Sequence, residues 1–272
     1  MKPLFKSIRA THALLLSACI FLVACDSSQS SVAQQPPLNR QAQGLLVAAA
    51  EAFNEADYKT TLAKCKEVAE LLPEDARVQQ RAAELLYLAG HAKESVSLFD
   101  KANQLDEKRA PHNWQRGIAL ATVGDFKRGA EQFKIHHEVN PDDVENSAWY
   151  YLCVAKSENV EAAKKTLIGS RGDKREPMMD ILQMLRGEGS PEKVIAAAEK
   201  VGPAPENKKM AQFYGDLYIG LYYDSIGRTE NAEKFLKRSL SYEINGYMAD
   251  TARVYLAERF QKSKDAESNG KP

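Results

Sequence analysis

Cysteine, tryptophan and net charge are what this 272-residue sequence has little of: four, two and zero respectively. A zero balance leaves no whole-chain field to draw the protein to nucleic acid or an anionic surface, and no basic stripe replaces it. Runs such as Lys164-Lys165 and Lys208-Lys209 therefore read as solvated helix faces. No apolar stretch is long enough for a spanning helix; residues 10–24 form a run of 15. The motifs that carry chemistry are absent too. There is no Gly-rich phosphate loop, Gly-x-Ser-x-Gly elbow, His-Glu-x-x-His pair or Cys-x-x-Cys pair, so neither an enzyme nor a cofactor is expected. His112, His136 and His137 do not suggest a metal, because adjacent histidines on a helix point about 100° apart and no carboxylate completes a ligand spacing. What is present is ordinary for a globular chain, 44% hydrophobic and 27% charged.

Lys2, Lys6 and Arg9 precede the apolar run, the pattern of an export signal. The run ends at Leu22-Val23-Ala24-Cys25, which looks like the lipobox of bacterial lipoproteins. Residues 1–24 are thus the expected signal peptide and Cys25 the expected lipidation site. A second match ends at Cys19. It is passed over because Ile20-Phe21-Leu22-Val23 continues the apolar run, whereas residues 26–31 turn polar at once. Removing the signal takes away three cations and no acid, leaving about −3. Asp26 resembles the signal that keeps enterobacterial lipoproteins in the inner membrane, but the rule varies among bacteria and inner or outer membrane stays open. Residues 25–41, rich in Ser, Gln and Pro, read as the lipidated cysteine and a flexible tether. It would hold the folded part roughly 20–25 Å from the bilayer. With Cys19 removed and Cys25 lipidated, Cys65 and Cys153 remain, both on apolar helix faces as small hydrophobes and too many repeats apart for a disulfide.

Beyond the tether the sequence repeats itself. A shift of 34 residues lays Gly124, Phe133 and Val139 on Gly90, Phe99 and Leu105; a second lays them on Ala56, Cys65 and Leu71, with Pro73 under Pro141. A period held twice, with matching punctuation, indicates repetition. The block 110–143, carrying Gly117, Gly124, Asp125, Phe126, Phe133 and Pro141, resembles the tetratricopeptide repeat (TPR), a helical hairpin of about 34 residues that stacks into a solenoid. The expectation is an all-α, TPR-type solenoid over residues 42–261, with about six hairpins and a C-terminal capping helix. Repeats fall at about 42–75, 76–109 and 110–143, a degenerate stretch at 144–202, a returning repeat at 207–243 and a cap at 246–261. The polar tail 262–272 reads as disordered. Apolar stripes at helical spacing support each helix. In the third hairpin the helices are expected at 111–123 and 126–139, and Asp142-Asp143 would cap the helix that follows.

The first helix of each hairpin lines the concave face of such a stack, and its outward positions give Tyr87, Trp114, Ile118, Lys156, Tyr214 and Asp224 as a partner-binding groove. Tyr87 and Trp114 would suit aromatic anchors for a docked helix or extended segment, or else belong to the core. Gln80, Trp114 and Ala148 stand where carboxylate-gripping TPRs carry Lys, Arg and Asn, so that clamp is not expected. Arg116 and His136 occupy packed sites where the repeat prefers Leu and Ala. A buried charge is costly unless paired, so they are expected to share a partner among Glu145, Asp142 and Asn146. Arg116, His136, Glu145 and Asn146 would then form a polar staple between hairpins or the floor of a ligand groove.

A signal, a lipobox, three TPRs, a degraded middle and a terminal TPR resemble the NlpI-like TPR lipoproteins of bacterial envelopes, most closely over residues 113–168 and 213–260. The resemblance implies an envelope adaptor that docks peptidoglycan-processing enzymes and their proteases, with a homodimer as a further expectation. The middle pair of helices departs from that pattern. Two other readings stay open: an envelope enzyme or small-ligand receptor using the Arg116 and His136 cluster, and a component of an outer-membrane assembly complex.

Overall fold

The structure is a computed structural model that describes residues 38–202 and 204–261. The expected signal peptide, Cys25, all of the expected tether but its last four residues, and the tail at 262–272 lie outside the described residues. Among those residues there are thirteen α-helices, one 3₁₀ turn, one π turn and no strand. Six consecutive hairpins account for twelve of the helices. They are α1 (Arg40–Asn54) with α2 (Tyr58–Leu71), α3 (Ala76–Leu88) with α4 (Ala92–Leu105), and α5 (Trp114–Val123) with α6 (Phe126–Val139). Then come α7 (Val144–Ser157) with α8 (Val160–Thr166), α9 (Met178–Arg186) with α10 (Pro191–Glu199), and α11 (Pro205–Ser225) with α12 (Thr229–Ser241). The last helix is α13 (Tyr247–Leu256), continued by the π turn Ala257–Gln261.

The repeat is written into the backbone. Ala56, Gly90 and Gly124 all have positive φ, at 59°, 87° and 86°. After each, the next amide reaches back to close the helix: Asp57 to the Ala52 carbonyl at 2.8 Å, His91 to Leu86 and Asp125 to Leu120, both at 2.9 Å. Gly187 and Gly227 close the fifth and sixth hairpins in the same way. A left-handed residue just past the helix end makes this bond geometrically available, and glycine adopts it without a Cβ clash. Ala56 does not, and the left-handed region costs a side-chain-bearing residue roughly 1–2 kcal/mol. Ala56→Gly should therefore raise unfolding stability by about 1 kcal/mol, once glycine's larger unfolded-state entropy is set against the relief. The urea midpoint checks this, and an unchanged or lower midpoint would reject it.

Capping explains where the third hairpin departs from its expected bounds. Asp75 caps α3, accepting from the amides of Arg77 and Val78, and Asp143 caps α7, accepting from Glu145. The equivalent position of the third repeat is Arg109, which has no acceptor, and Pro111 follows. Residues Glu107–His112 form a 3₁₀ turn instead, and Asn113 takes over the cap by accepting from Arg116, so α5 begins at Trp114 rather than at 111. At the N-terminal end Asn39 accepts from Ala42 at 2.7 Å, which places residues 40 and 41 in α1 rather than in the tether.

The hairpins pack through one recurring site. Cys65, Phe99 and Phe133, one repeat apart, are all buried. A Cβ added to Gly117 would lie 2.7 Å from the Phe133 ring, and one added to Gly220 would lie 2.8 Å from Leu236. The missing side chain on the first helix is what lets the second approach. The last helix does more than close the open end, as a terminal cap would. It packs on α12 and also returns to α3 and α5, across the face of the first helices.

Candidate functional site

Of the residues expected to line an open groove, Tyr87, Trp114 and Asp224 are met by the chain's own α13. Tyr87 and Ile118 are fully buried. Tyr247 stacks on Tyr87 with centroids 6.3 Å apart and meets the half-buried Trp114 edge-on at 4.9 Å. The Arg253 guanidinium donates to the Leu88 carbonyl at 2.5 Å and lies over the Tyr58 ring. Lys156 and Asp224, expected as separate groove charges, form an ion pair at 2.8 Å, and the Tyr255 hydroxyl donates to the other Asp224 oxygen at 2.6 Å. Tyr214 stands apart from these, stacked on Tyr218. Burial, reinforced by the Glu145 charge, pushes its phenol up to about 12. An apolar, aromatic face needs a cover, and α13 supplies the complementary rings and the cation; nothing local in the sequence says that it would.

Arg116 and His136 do not share the partner expected for them, which corrects that reading. Arg116 turns to α4 and His136 to the Pro111 carbonyl, whereas His136 connects through Asn140 and Asp143 to the Arg175 that also binds Glu145. Arg116 donates to Asp100 at 2.7 Å and to Gln132 at 2.9 Å, and Arg128 shares the same Asp100. Its partner thus comes from α4 in the preceding hairpin, not from α7 in the next. Periodicity specifies the face of α5 on which Arg116 lies but not which neighbour that face meets. Asp142, the third candidate, pairs with Arg171. Glu145 accepts from Tyr218 and from Arg175, which also binds Asp143 and Asp173 at 2.6 Å each. Three carboxylates share that one guanidinium. Burial, with the Asp143 charge beside it, pushes the Glu145 carboxyl above its ordinary value.

His136 is buried, with Nδ1 2.8 Å from the Pro111 carbonyl, so Nδ1 carries the proton and donates. Nε2 is then left as an acceptor, 3.4 Å from the Asn140 amide nitrogen. Burial holds the imidazole below its usual 6.5, against the opposing pull of the Pro111 bond and the Asp143 charge; His112 and His137 push it further down. Because the native value is depressed, the unfolded chain binds the proton first as pH falls. The stability this imidazole contributes is present above pH 6.5 and lost below it. Wild-type protein should therefore lose more urea resistance between about pH 7.5 and pH 5 than His136→Asn, which keeps a donor but does not titrate. Glu145 changes stability in the opposite sense in acid, so the difference between the two proteins is the quantity to read. Equal pH profiles would reject the assignment.

His136, Glu145 and Asn146 do meet, at a cavity of about 150 Å³ whose walls also include Trp114, Trp149 and, from α13, Met248. Asn146 is 3% exposed, and neither its amide nitrogen nor its oxygen has a hydrogen-bond partner among the described residues. Sequence reasoning did not single out Trp149 or Met248; the latter is brought in by the return of α13. Cys65 and Cys153 are buried free thiols; burial raises both, Cys65 to about 12, so neither is poised as a thiolate. No group of three or more potential metal ligands occurs among the described residues.

No protein-family model matches the sequence, and a search of curated proteins finds no match. Among solved structures the chain is similar to MamA 41-end from Desulfovibrio magneticus RS-1, at a TM-score of 0.45 and 13% identity over 76% of this chain and 97% of that one. The helices, their order and the repeated closures at Ala56, Gly90 and Gly124 establish the architecture from the chain itself: an all-α solenoid of TPR-type helical hairpins.

Proposed function

We propose that the chain is a non-catalytic adaptor, lipid-anchored through Cys25 in a bacterial envelope, that gathers protein partners on its solenoid. The observation that carries this reading is that the face of the first helices already holds a helix. Tyr247 seats α13 against Tyr87 and Trp114, and Arg253 fastens it to the Leu88 carbonyl. Aromatic anchors inside a polar rim are how such grooves take an amphipathic helix. Following the resemblance to NlpI-like lipoproteins, the partners are cell-wall-processing enzymes or their proteases, together with a second copy of the chain. A small-ligand receptor is a second reading, favoured by the cavity at Asn146.

The experiment is a pull-down from detergent-solubilised membranes with the tethered protein and with Tyr247→Ala, which loosens α13. The same partners should be retained by both, in greater yield by the variant. Retention of no protein by the folded chain would overturn the adaptor reading. The anchor is tested alongside it: Cys25→Ala should release or mis-process the protein, and Cys19→Ala should leave it membrane-bound. Equal retention of both in fractionation, with unchanged mass of the N-terminal peptide, would reject Cys25.

A further inference from the structure

We infer that the cavity between α5, α6, α7 and α13 is a binding site for a compact organic cation, a primary ammonium or guanidinium group, carried by a free amine or by a lysine or arginine of a partner. The adaptor reading is not needed for this. Three observations converge on it. The first is size and place: about 150 Å³ equals roughly five waters, which suits one charged head group and a short stem. The second is Asn146, almost wholly buried at the cavity wall with its amide oxygen and nitrogen both lacking a partner among the described residues. Buried polar groups are rarely left unpaired, and a side-chain amide kept in an aromatic wall is a recognition element for something the chain does not itself supply.

The third is the sign of the charge. Asp143 and Glu145 line the cavity, and they share Arg175 with Asp173, so negative charge is in excess. No Lys or Arg lines the cavity. His136, with its single ring proton on Nδ1, adds no positive charge. Trp114, Phe133 and Trp149 form the walls, and aromatic faces attract a cation through their quadrupoles. An anion would meet two carboxylates. A neutral apolar ligand would leave unpaired the Asn146 amide oxygen, the atom that accepts from an ammonium or guanidinium. Since Met248 of α13 forms part of the wall, an occupant also touches the helix that covers the face of the first helices, so occupancy favours its docked position.

The sequence provides its own probe: its two tryptophans, Trp114 and Trp149, both line this cavity. Intrinsic fluorescence of the purified, folded protein is titrated at constant ionic strength with n-butylammonium chloride, n-butanol, and the peptide acetyl-Ala-Lys-Ala-amide. The expected result is a saturable change with n-butylammonium at a midpoint about tenfold or more below that of n-butanol, since charge is the intended discriminator. Asn146→Leu, a near-isosteric apolar replacement, should abolish it, and Glu145→Gln should weaken it by about tenfold. A lysine peptide that binds more tightly than n-butylammonium assigns the cation to a partner's side chain; a weaker one assigns it to a free amine. No saturable change with n-butylammonium, or an equal response to n-butanol, overturns the site, and neither outcome depends on a variant folding. An unchanged midpoint in a folded variant overturns it too. The pull-down reads different material, so either proposal can fail alone.

Discussion

Replacing Phe133 by alanine should cost about 3–5 kcal/mol of unfolding free energy, the usual range for emptying a buried aromatic site. The ring is 1% exposed. It lies parallel to Trp149 at 6.4 Å, and its edge fills the space left by the missing side chain of Gly117. Neither neighbour can close the gap. Gly117 has no side chain to move, and the α5–α6 turn is held by the left-handed Gly124 and the Asp125 to Leu120 bond. The cavity therefore persists, which puts the cost at the upper part of the range. Gly117→Ala tests the same site from the other side: its Cβ would lie 2.7 Å from the Phe133 ring, which must shift to admit it, and overpacking costs typically 1–3 kcal/mol. The two substitutions share one contact, so in combination they should cost less than their sum. Chemical denaturation checks both. A loss below about 1 kcal/mol for Phe133→Ala would show that the site collapses, and the repeated packing of bare Cα against large side chain would not be what holds the hairpins.

Asp224→Ala should cost about 3–5 kcal/mol, because it breaks a buried pair and leaves its partners uncompensated. Asp224 is 5% exposed and joins three distant parts of the chain: it belongs to α11, pairs with Lys156 of α7 and accepts from Tyr255 of α13. Lys156 is 23% exposed at its side chain and can turn partly to water, so the lower half of the range is expected. The Tyr255 hydroxyl cannot, being wholly buried. Asp224→Asn keeps an acceptor for that hydroxyl and should cost less than the alanine change. The location of the damage is as diagnostic as its size. Amide exchange should accelerate first in residues 247–256, while α1, in the first hairpin, keeps its protection. Uniform loss of protection along the chain would show that Asp224 stabilises the solenoid as a whole and not the seat of α13.

The parts of this molecule that were legible in the sequence are those settled within a few residues. A helix end at Gly90 or Gly124 is decided by one residue's freedom at positive φ and one hydrogen bond to the residue five earlier. The 34-residue shift aligned Ala56 with these glycines, and its backbone is left-handed too although the residue there is not glycine. Where a local signal was misread, a local reason explains it: Arg109 cannot cap, so α5 starts late. Of the residues expected to line an open groove, Tyr87 and Ile118 are buried and Tyr87 and Trp114 meet Tyr247 of α13, because exposure of Tyr87 is not a property of its own helix. The partner expected for Arg116 was misplaced for a related reason. Arg116 is a partly buried cation, and whether Asp100 or Glu145 answers it depends on how α5 is rotated against its neighbours.

By itself, then, the sequence determined the class of fold, the period and the closure of each hairpin, since backbone sterics and short-range hydrogen bonds encode them. Only the tertiary structure decided that α13 returns to the face of the first helices, with Arg253 reaching Leu88 across 165 residues. It alone brought Trp114, Asn146 and Met248 to one cavity. The physical reason is accumulation: each hairpin adds a small rotation and rise to the stack, set by side-chain volumes at sites such as Gly117 and Phe133, and only their sum over several hairpins fixes where a distant helix lands.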